Sequence, residues 1–203
     1  KFIDYFARLS MLLTEGDEVC PVLVLHPISS AWTRFNKLDL GSIYCFHDSL
    51  ETVVNTLGDC QGGDHLGDEQ LMEKYGSVNG NRLTVGRKSY TAVVLPELVS
   101  IESPTLALLD AFMRNGGNVI AAGTLPKYVD GRENAEALEY LSSHAVKAEG
   151  AEALCAALEK SGAVLQKLTG DRGRVRVMRR DRDDGTLLYI VNTDNERGRT
   201  FTL

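Results

Sequence analysis

Residues Ser89–Pro126, SYTAVVLPELVSIESPTLALLDAFMRNGGNVIAAGTLP, decide the fold. Tyr90–Leu95 is a short apolar, β-branched run closed by Pro96. A strand buried on both faces has this composition, because neither face needs polar alternation. Ser103-Pro104 predicts a helix start, with serine as cap and proline in the first turn. Leu106, Leu109, Ala111, Phe112 and Met113 supply the apolar side of that helix, and Gly116-Gly117 predicts its end. Asn118–Ala122 reads as a second apolar strand, left through Gly123-Thr124-Leu125-Pro126. Strand, helix and strand in so short a stretch form a βαβ unit, which predicts a parallel sheet with a right-handed crossover.

On the N-terminal side, Ser77–Tyr90 carries the turn signals Asn79-Gly80 and Gly86 and predicts a small β-ribbon. Asp68–Tyr75 reads as a short helix and Gly58–Gly67, rich in glycine and aspartate, as a loop. Asp48–Leu57 predicts a helix capped by Asp48 or Ser49, with Leu50, Val53, Val54 and Leu57 inward; Phe35–Phe46 reads as irregular or as carrying a short strand. Val22–Leu25 is the first strand and ends at His26-Pro27. Ile28–Arg34 follows as a loop holding Ser29, Ser30 and Trp32, the only tryptophan. Phe2–Leu13 is amphipathic and helical, and Gly16 stops it.

On the C-terminal side, Glu133–Ser142 and Ala151–Lys160 predict helices, with Val146–Ala148 a short strand between them. After Gly162 the helical alternation stops. Val164–Leu168, Val175–Arg180, Thr186–Asn192 and Thr200–Leu203 read as strands, and Asp183-Asp184-Gly185 as a hairpin turn. These residues predict an α/β domain over residues 1–168, a parallel sheet with helices on both faces. Residues 169–203 then add a few antiparallel strands, too few to stand alone. That tail either pairs with the parallel sheet or opens a β-sandwich.

Composition excludes some classes. With 203 residues, 43% hydrophobic and 25% charged, the chain is an ordinary globular one. Its net charge of −6 argues against nucleic acid as partner. No apolar run is long enough to span a membrane, so none is expected as partner. The chain opens Lys-Phe-Ile-Asp without methionine, and the expectation is that it starts inside a longer protein. Cys20, Cys45, Cys60 and Cys155 lack metal-site spacing and read as buried or free thiols.

In open parallel sheets, ligands sit beyond the carboxyl ends of the strands. Here those ends carry His26, Ser29, Ser30 and Trp32 after the first strand, Glu97 after the central one, and Thr124 after the next. These six residues are the candidate cleft. His-Pro-Ile-Ser-Ser has no glycine, so a dinucleotide fingerprint is rejected. A nucleophile elbow would need Cys or Ser in the turn after a strand, and Ala122-Gly123-Thr124 offers only Thr124. No main strand ends in aspartate, which removes a receiver-type phosphoacceptor. Asp64, His65, Asp68 and Glu69 match no metal loop and read as a solvated loop and helix start. Neither metal nor organic cofactor is expected. His26 reads as a hydrogen-bonded structural histidine before a functional one, and Trp32 as filling a domain interface before stacking on a sugar ring. Arg174 and Arg176 alternate with valines, followed by Arg179, Arg180 and Arg182 among acids, which reads as a solvated strand face ahead of an anion site.

The order of these motifs resembles a family. DYFARLSMLLTEG followed by VLVLHPISSAW is similar to the segment after the catalytic barrel in large bacterial glycoside hydrolases of the α-L-rhamnosidase-like group. NGNRLTVGRKSY, YTAVVLP, GGNVIAAGTLP and the tail RVMRRDRDDGTLLYIVNTDNE continue the likeness in the same order. The resemblance implies a flavodoxin-like three-layer domain, similar to class I glutamine amidotransferases and to the trimerisation domain of some β-galactosidases. Amidotransferases place their nucleophilic cysteine where this chain has Gly123 or Thr124, so that chemistry is expected to be lost. The catalytic carboxylates would lie in an upstream barrel. The implied role is a non-catalytic accessory domain. Its partners are the barrel of the same parent chain, carbohydrate at the cleft, and further copies of itself; the compartment is unknown from the sequence, a secreted or periplasmic parent being compatible with the resemblance. The alternatives are a free-standing amidotransferase-like hydrolase and a small-molecule binding module using the same crevice.

Overall fold

The structure is a computed structural model and describes every residue except Arg172. The chain opens with α1 (Phe2–Thr14), β1 (Asp17–Val19), β2 (Val22–Leu25), α2 (Ile28–Arg34), α3 (Gly41–Asp59) and β3 (Asp64–Gly67). Next come α4 (Glu69–Tyr75) and the ribbon β4 (Gly76–Asn79), β5 (Arg82–Val85) and β6 (Lys88–Tyr90). The central unit is β7 (Ala92–Leu95), β8 (Ser100–Ile101), α5 (Ser103–Arg114) and β9 (Asn118–Ala121). β10 (Tyr128–Val129), β11 (Arg132–Glu133), α6 (Glu139–His144), β12 (Val146–Lys147) and α7 (Ala151–Ser161) complete the layers. The tail holds β13 (Thr169–Gly170), β14 (Val175–Arg182), β15 (Gly185–Asn192) and β16 (Phe201–Thr202).

The five-stranded sheet has the order β12-β9-β7-β2-β3, and its neighbours pair in parallel. Counted in chain order those strands run 2-1-3-4-5, the flavodoxin-like arrangement, with the order reversing between β2 and β7. Residue alternation splits the core in two. Leu23, Leu25, Val93, Leu95 and Val119 pack on Met72, Leu109, Phe112 and Leu141 from α4, α5 and α6. Val22, Val24, Val94 and Ile120 pack on Val53, Leu57, Leu154 and Leu158 from α3 and α7. β2 and β7 are buried along their whole length, which is why neither shows polar alternation.

The central unit forms as its sequence predicts, with one change at its start. Glu102, not Ser103, occupies the cap position of α5, and Pro104 lies in its first turn. The Ser103 N–H instead reaches the Asp130 carboxylate at 2.8 Å. Gly116, at φ +82°, ends the helix, and the Gly117 N–H closes back on the Phe112 carbonyl at 2.9 Å.

Several expectations fail locally. Ile28–Arg34 is a helix rather than a loop. α3 begins at Gly41, so Asp48 and Ser49 lie inside it instead of capping it. Within the expected loop Gly58–Gly67, Asp64–Gly67 is the edge strand of the parallel sheet. As an edge strand it leaves Asp64 and His65 half-buried and Leu66 exposed. The expected helix Glu133–Ser142 shrinks to Glu139–His144. Val164–Leu168 is irregular; it buries Leu165 and Leu168 while the Leu165 N–H bonds the Gln61 carbonyl at 2.9 Å.

The β14–β15 hairpin turns between Arg182 and Gly185, as Asp183-Asp184-Gly185 predicts. It does not join the parallel sheet. β14 pairs antiparallel with β1, from Asp17 opposite Asp181 to Val19 opposite Arg179. Its arginines are fasteners more than a solvated face. Arg180 donates to the carbonyls of Glu15 and Gly16 at 2.5 and 2.6 Å. Arg176 reaches the Asn55 carbonyl and the Asp59 carboxylate, both at 2.8 Å.

Reading all four cysteines as thiols is corrected. Cys60, just past α3, and Cys155, in α7, form a disulfide across 95 residues of chain. They meet only because α3 and α7 lie side by side on one face of the sheet. A loop of that length restricts the unfolded chain enough to contribute about 4 kcal/mol in the chain-entropy account. Reduction, or the double change Cys60→Ser with Cys155→Ser, is expected to lower stability by about 2–5 kcal/mol. Urea unfolding with and without dithiothreitol measures this, and coincident midpoints would contradict it.

Candidate functional site

The carboxyl ends of β2 and β7, where the strand order reverses, are the place for a ligand crevice. Here α2 lies across that place. Ser30, fully buried on α2, donates its hydroxyl proton to the Ser100 carbonyl at 2.9 Å. The same oxygen accepts the N–H groups of Val99 at 2.9 Å and Ser100 at 3.0 Å. Its bonding capacity is therefore used inside the protein. This contact explains why Ile28–Arg34 is helical: the serine must point inward, toward the β7–β8 turn, while Trp32 points out.

Glu97 and Thr124 are brought together, also for structure. The Thr124 N–H donates to the Glu97 carboxylate at 2.9 Å, and the Leu98 N–H to the Thr124 carbonyl at 3.0 Å. The Glu97 N–H in turn donates to the Ser49 hydroxyl at 2.9 Å. The loops after β7 and β9 are thus closed on each other. At Gly123 a β-carbon would sit 2.4 Å from the Glu97 nitrogen, so no side chain fits at that position, and the turn's hydroxyl is left to exposed Thr124.

Ser29 joins a different group. Its hydroxyl donates to the Glu102 carboxylate at 3.3 Å, and the Glu102 N–H donates to the buried Glu69 carboxylate at 2.7 Å. Glu69 was expected at a solvated helix start. Instead it is buried, and burial raises its carboxyl above the ordinary 4.5, opposed by hydrogen bonds from Ser29 and Glu102. Its neighbour Asp68 caps α4 through the Leu71 N–H at 3.0 Å. In sequence, the pair Asp68-Glu69 gives no sign that one faces water and the other the core.

His26 and Trp32 do share a cavity, about 340 Å³ in volume. Its walls are otherwise apolar, formed by Ile28, Phe35, Ile43, Phe46 and Leu50, with His47 at the side. Trp32 is 66% exposed, Phe35 58% and Leu38 87%. The six candidates therefore divide into one apolar cavity rim (His26, Trp32) and three hydrogen-bonded ties (Ser29, Ser30, and Glu97 with Thr124). No pair of them is arranged as nucleophile and base.

A polar chain that the sequence did not reveal lies at the opposite end of the sheet. His65 Nδ1 is 3.1 Å from the Tyr90 hydroxyl, and its Nε2 is 3.4 Å from the Glu18 carboxylate. Lys88 donates to the Glu18 carbonyl at 2.9 Å. The chain links β1 to β3 and β6. Cys20, buried beside it, has its thiol pushed up to about 12, by burial first and then by Glu18 and Asp64. Burial likewise pushes the Tyr90 phenol up to about 12. Both hold their protons at neutral pH, so the arrangement fastens strands and supplies no nucleophile.

No family model matches the chain, and no curated protein matches it. Among solved structures it is similar to an apo exo-carrageenase of GH42 from Bacteroides ovatus, at 14% identity and a TM-score of 0.49. That likeness covers 85% of this chain and 22% of the other, so the chain spans under a quarter of that protein's length. At that level it bears on neither substrate nor chemistry.

Two outcomes follow from these geometries. Iodoacetamide at mildly alkaline pH is expected to label exposed Cys45 in the native protein and Cys20 only after unfolding; mass spectrometry of native Cys20 adducts would contradict this. Because the folded-state carboxyl of Glu69 is raised, its favourable contribution holds below pH 4.5 and is lost as pH rises through the folded value. Glu69→Gln is therefore expected to gain stability relative to the parent as pH rises from acid to neutral. Urea midpoints across that range read the difference, and a variant that loses stability relative to the parent as pH rises would refute the assignment.

Proposed function

We propose that this chain is a non-catalytic accessory domain of a multidomain glycoside hydrolase, of the α-L-rhamnosidase-like group. In this reading residues 1–168 form the flavodoxin-like domain and residues 169–203 lead into the next β-domain. The domain packs on the catalytic barrel of its parent chain or on another copy, and its α2 surface borders the sugar cleft. The observation that carries the reading is the pairing of a closed strand end with an exposed apolar rim. The Ser30 hydroxyl and the Glu97 carboxylate are spent on internal bonds, while Trp32, Phe35, Leu38 and Tyr44 stand in water beside an apolar cavity. Clustered exposed aromatics of this kind mark surfaces meant to be covered. The apolar side of α1 adds to this, with Phe2, Ile3, Tyr5 and Met11 exposed and no residue of the helix buried. The order of the sequence motifs supplies the glycoside-hydrolase assignment.

A free-standing amidotransferase-like hydrolase fits less well, since the turn at Gly123 is packed against the Glu97 backbone. Trp32→Ala in the parent enzyme is expected to lower the melting temperature of the joined domains or to reduce sugar turnover about tenfold, as loss of an interface anchor does. Calorimetry and a turnover assay measure both. If neither changes, α2 is not an interface.

A further inference from the structure

A cavity lies at the amino end of the parallel sheet, away from α2, between the β5–β6 ribbon and β14. It measures about 760 Å³, within the roughly 300–1,000 Å³ usual for small-molecule sites. Its rim carries Arg82, Arg87, Lys88, Arg179 and Arg180 against Asp17 and Glu18, in a protein whose net charge is −6. Some of this charge is spent locally. Glu18 faces Lys88 at 3.7 Å and His65 at 3.4 Å, and Arg179 faces Asp181 at 2.9 Å. Arg180 is oriented by the carbonyls of Glu15 and Gly16, which leave its positive charge without a carboxylate partner. Arg82 and Arg87 are exposed and make no ion pair or hydrogen bond with the described residues. Three uncompensated guanidinium groups therefore face one aspartate across a concave space, two from the ribbon and one from β14.

We propose that this cavity is a binding site for an anionic saccharide, one bearing sulfate or carboxylate groups. The guanidinium fork suits both anions, which accept two parallel N–H bonds. Pro21, Val164 and Leu165 form the apolar part of the wall, suited to the apolar face of a sugar ring; Ser89 and Thr91 also line it, their hydroxyls bonded to the Thr84 hydroxyl and the Pro21 carbonyl. The volume suits a sugar of a few rings better than a single inorganic ion. That the ligand is a saccharide rests on the glycoside-hydrolase reading; that it is an anion rests on the cavity alone.

The test is calorimetric titration of the full chain with a sulfated disaccharide, a uronate disaccharide, their uncharged parent and inorganic sulfate. The double variant Arg82→Gln with Arg87→Gln is run beside the parent; both positions are exposed, and circular dichroism checks that the fold is kept. Expected is binding of at least one charged disaccharide that weakens between about 20 and about 200 mM NaCl. The double variant is expected to lose about tenfold or more in affinity, and the uncharged sugar not to bind. Equal binding of inorganic sulfate and the charged sugars, lost in the variant, overturns the saccharide and leaves an inorganic-anion site. Charged sugars that bind the variant as well as the parent, or do not bind at all, overturn the site. Neither result touches the α2 interface, which Trp32→Ala reads separately.

Discussion

The structure depends on burying β2 and β7 on both faces. Val22–Leu25 and Ala92–Leu95 are closed to water along their full length, at about 1.5–3 kcal/mol for each large apolar side chain. That burial demands a helical layer above and another below. Alternation along the strands sends Leu23, Leu25, Val93 and Leu95 to one layer and Val22, Val24 and Val94 to the other. The second layer is the thinner of the two, with α3 and α7 alone on the sheet, and it carries the Cys60–Cys155 link.

The same burial governs the strand ends. Backbone groups leaving a fully buried strand need partners, and in this chain α2 and the neighbouring loops supply them. One serine hydroxyl serves three backbone groups of the β7–β8 turn, and Glu97 holds the loop after β9. The Ser30 hydroxyl and the Glu97 carboxylate, at the carboxyl ends of the strands, hold the loops themselves. What is left at that end is an apolar rim. The charge collects at the other end, where the tail returns to pair with β1 and brings Arg179 and Arg180 opposite the ribbon arginines. The apolar rim and the arginine-lined cavity thus lie at opposite ends of one sheet.

Legibility followed the strength of the local signal. Tyr90–Ala122 could be read nearly residue by residue, because long apolar runs and paired glycines leave few alternatives. Ile28–Arg34 could not, since ISSAWTR is short and two serines favour turns; only the contact of Ser30 with Ser100 makes it a helix. Asp64–Gly67 is polar and bounded by glycines, so it reads as loop until β2 stands beside it. The candidate site was half legible. His26 and Trp32 do lie on one cavity, whereas Ser30, Glu97 and Thr124 were recognised by position but not by role. Glu69 and His65 read as solvated because burial of a single charged residue leaves no periodic trace.

By itself the sequence determined the α/β class, the parallel central unit, the hairpin at Asp183–Gly185 and the acidic net charge, all of which follow from local periodicity, turn chemistry and composition. Tertiary structure alone decided which cysteines meet, which serine is spent on a backbone turn, where the tail pairs and which arginines stay free. Those outcomes depend on contacts between residues 70 or more positions apart, such as Ser30 with Ser100, Cys60 with Cys155 and Val19 with Arg179. Closing such distances is a property of the packed layers and not of any stretch of chain.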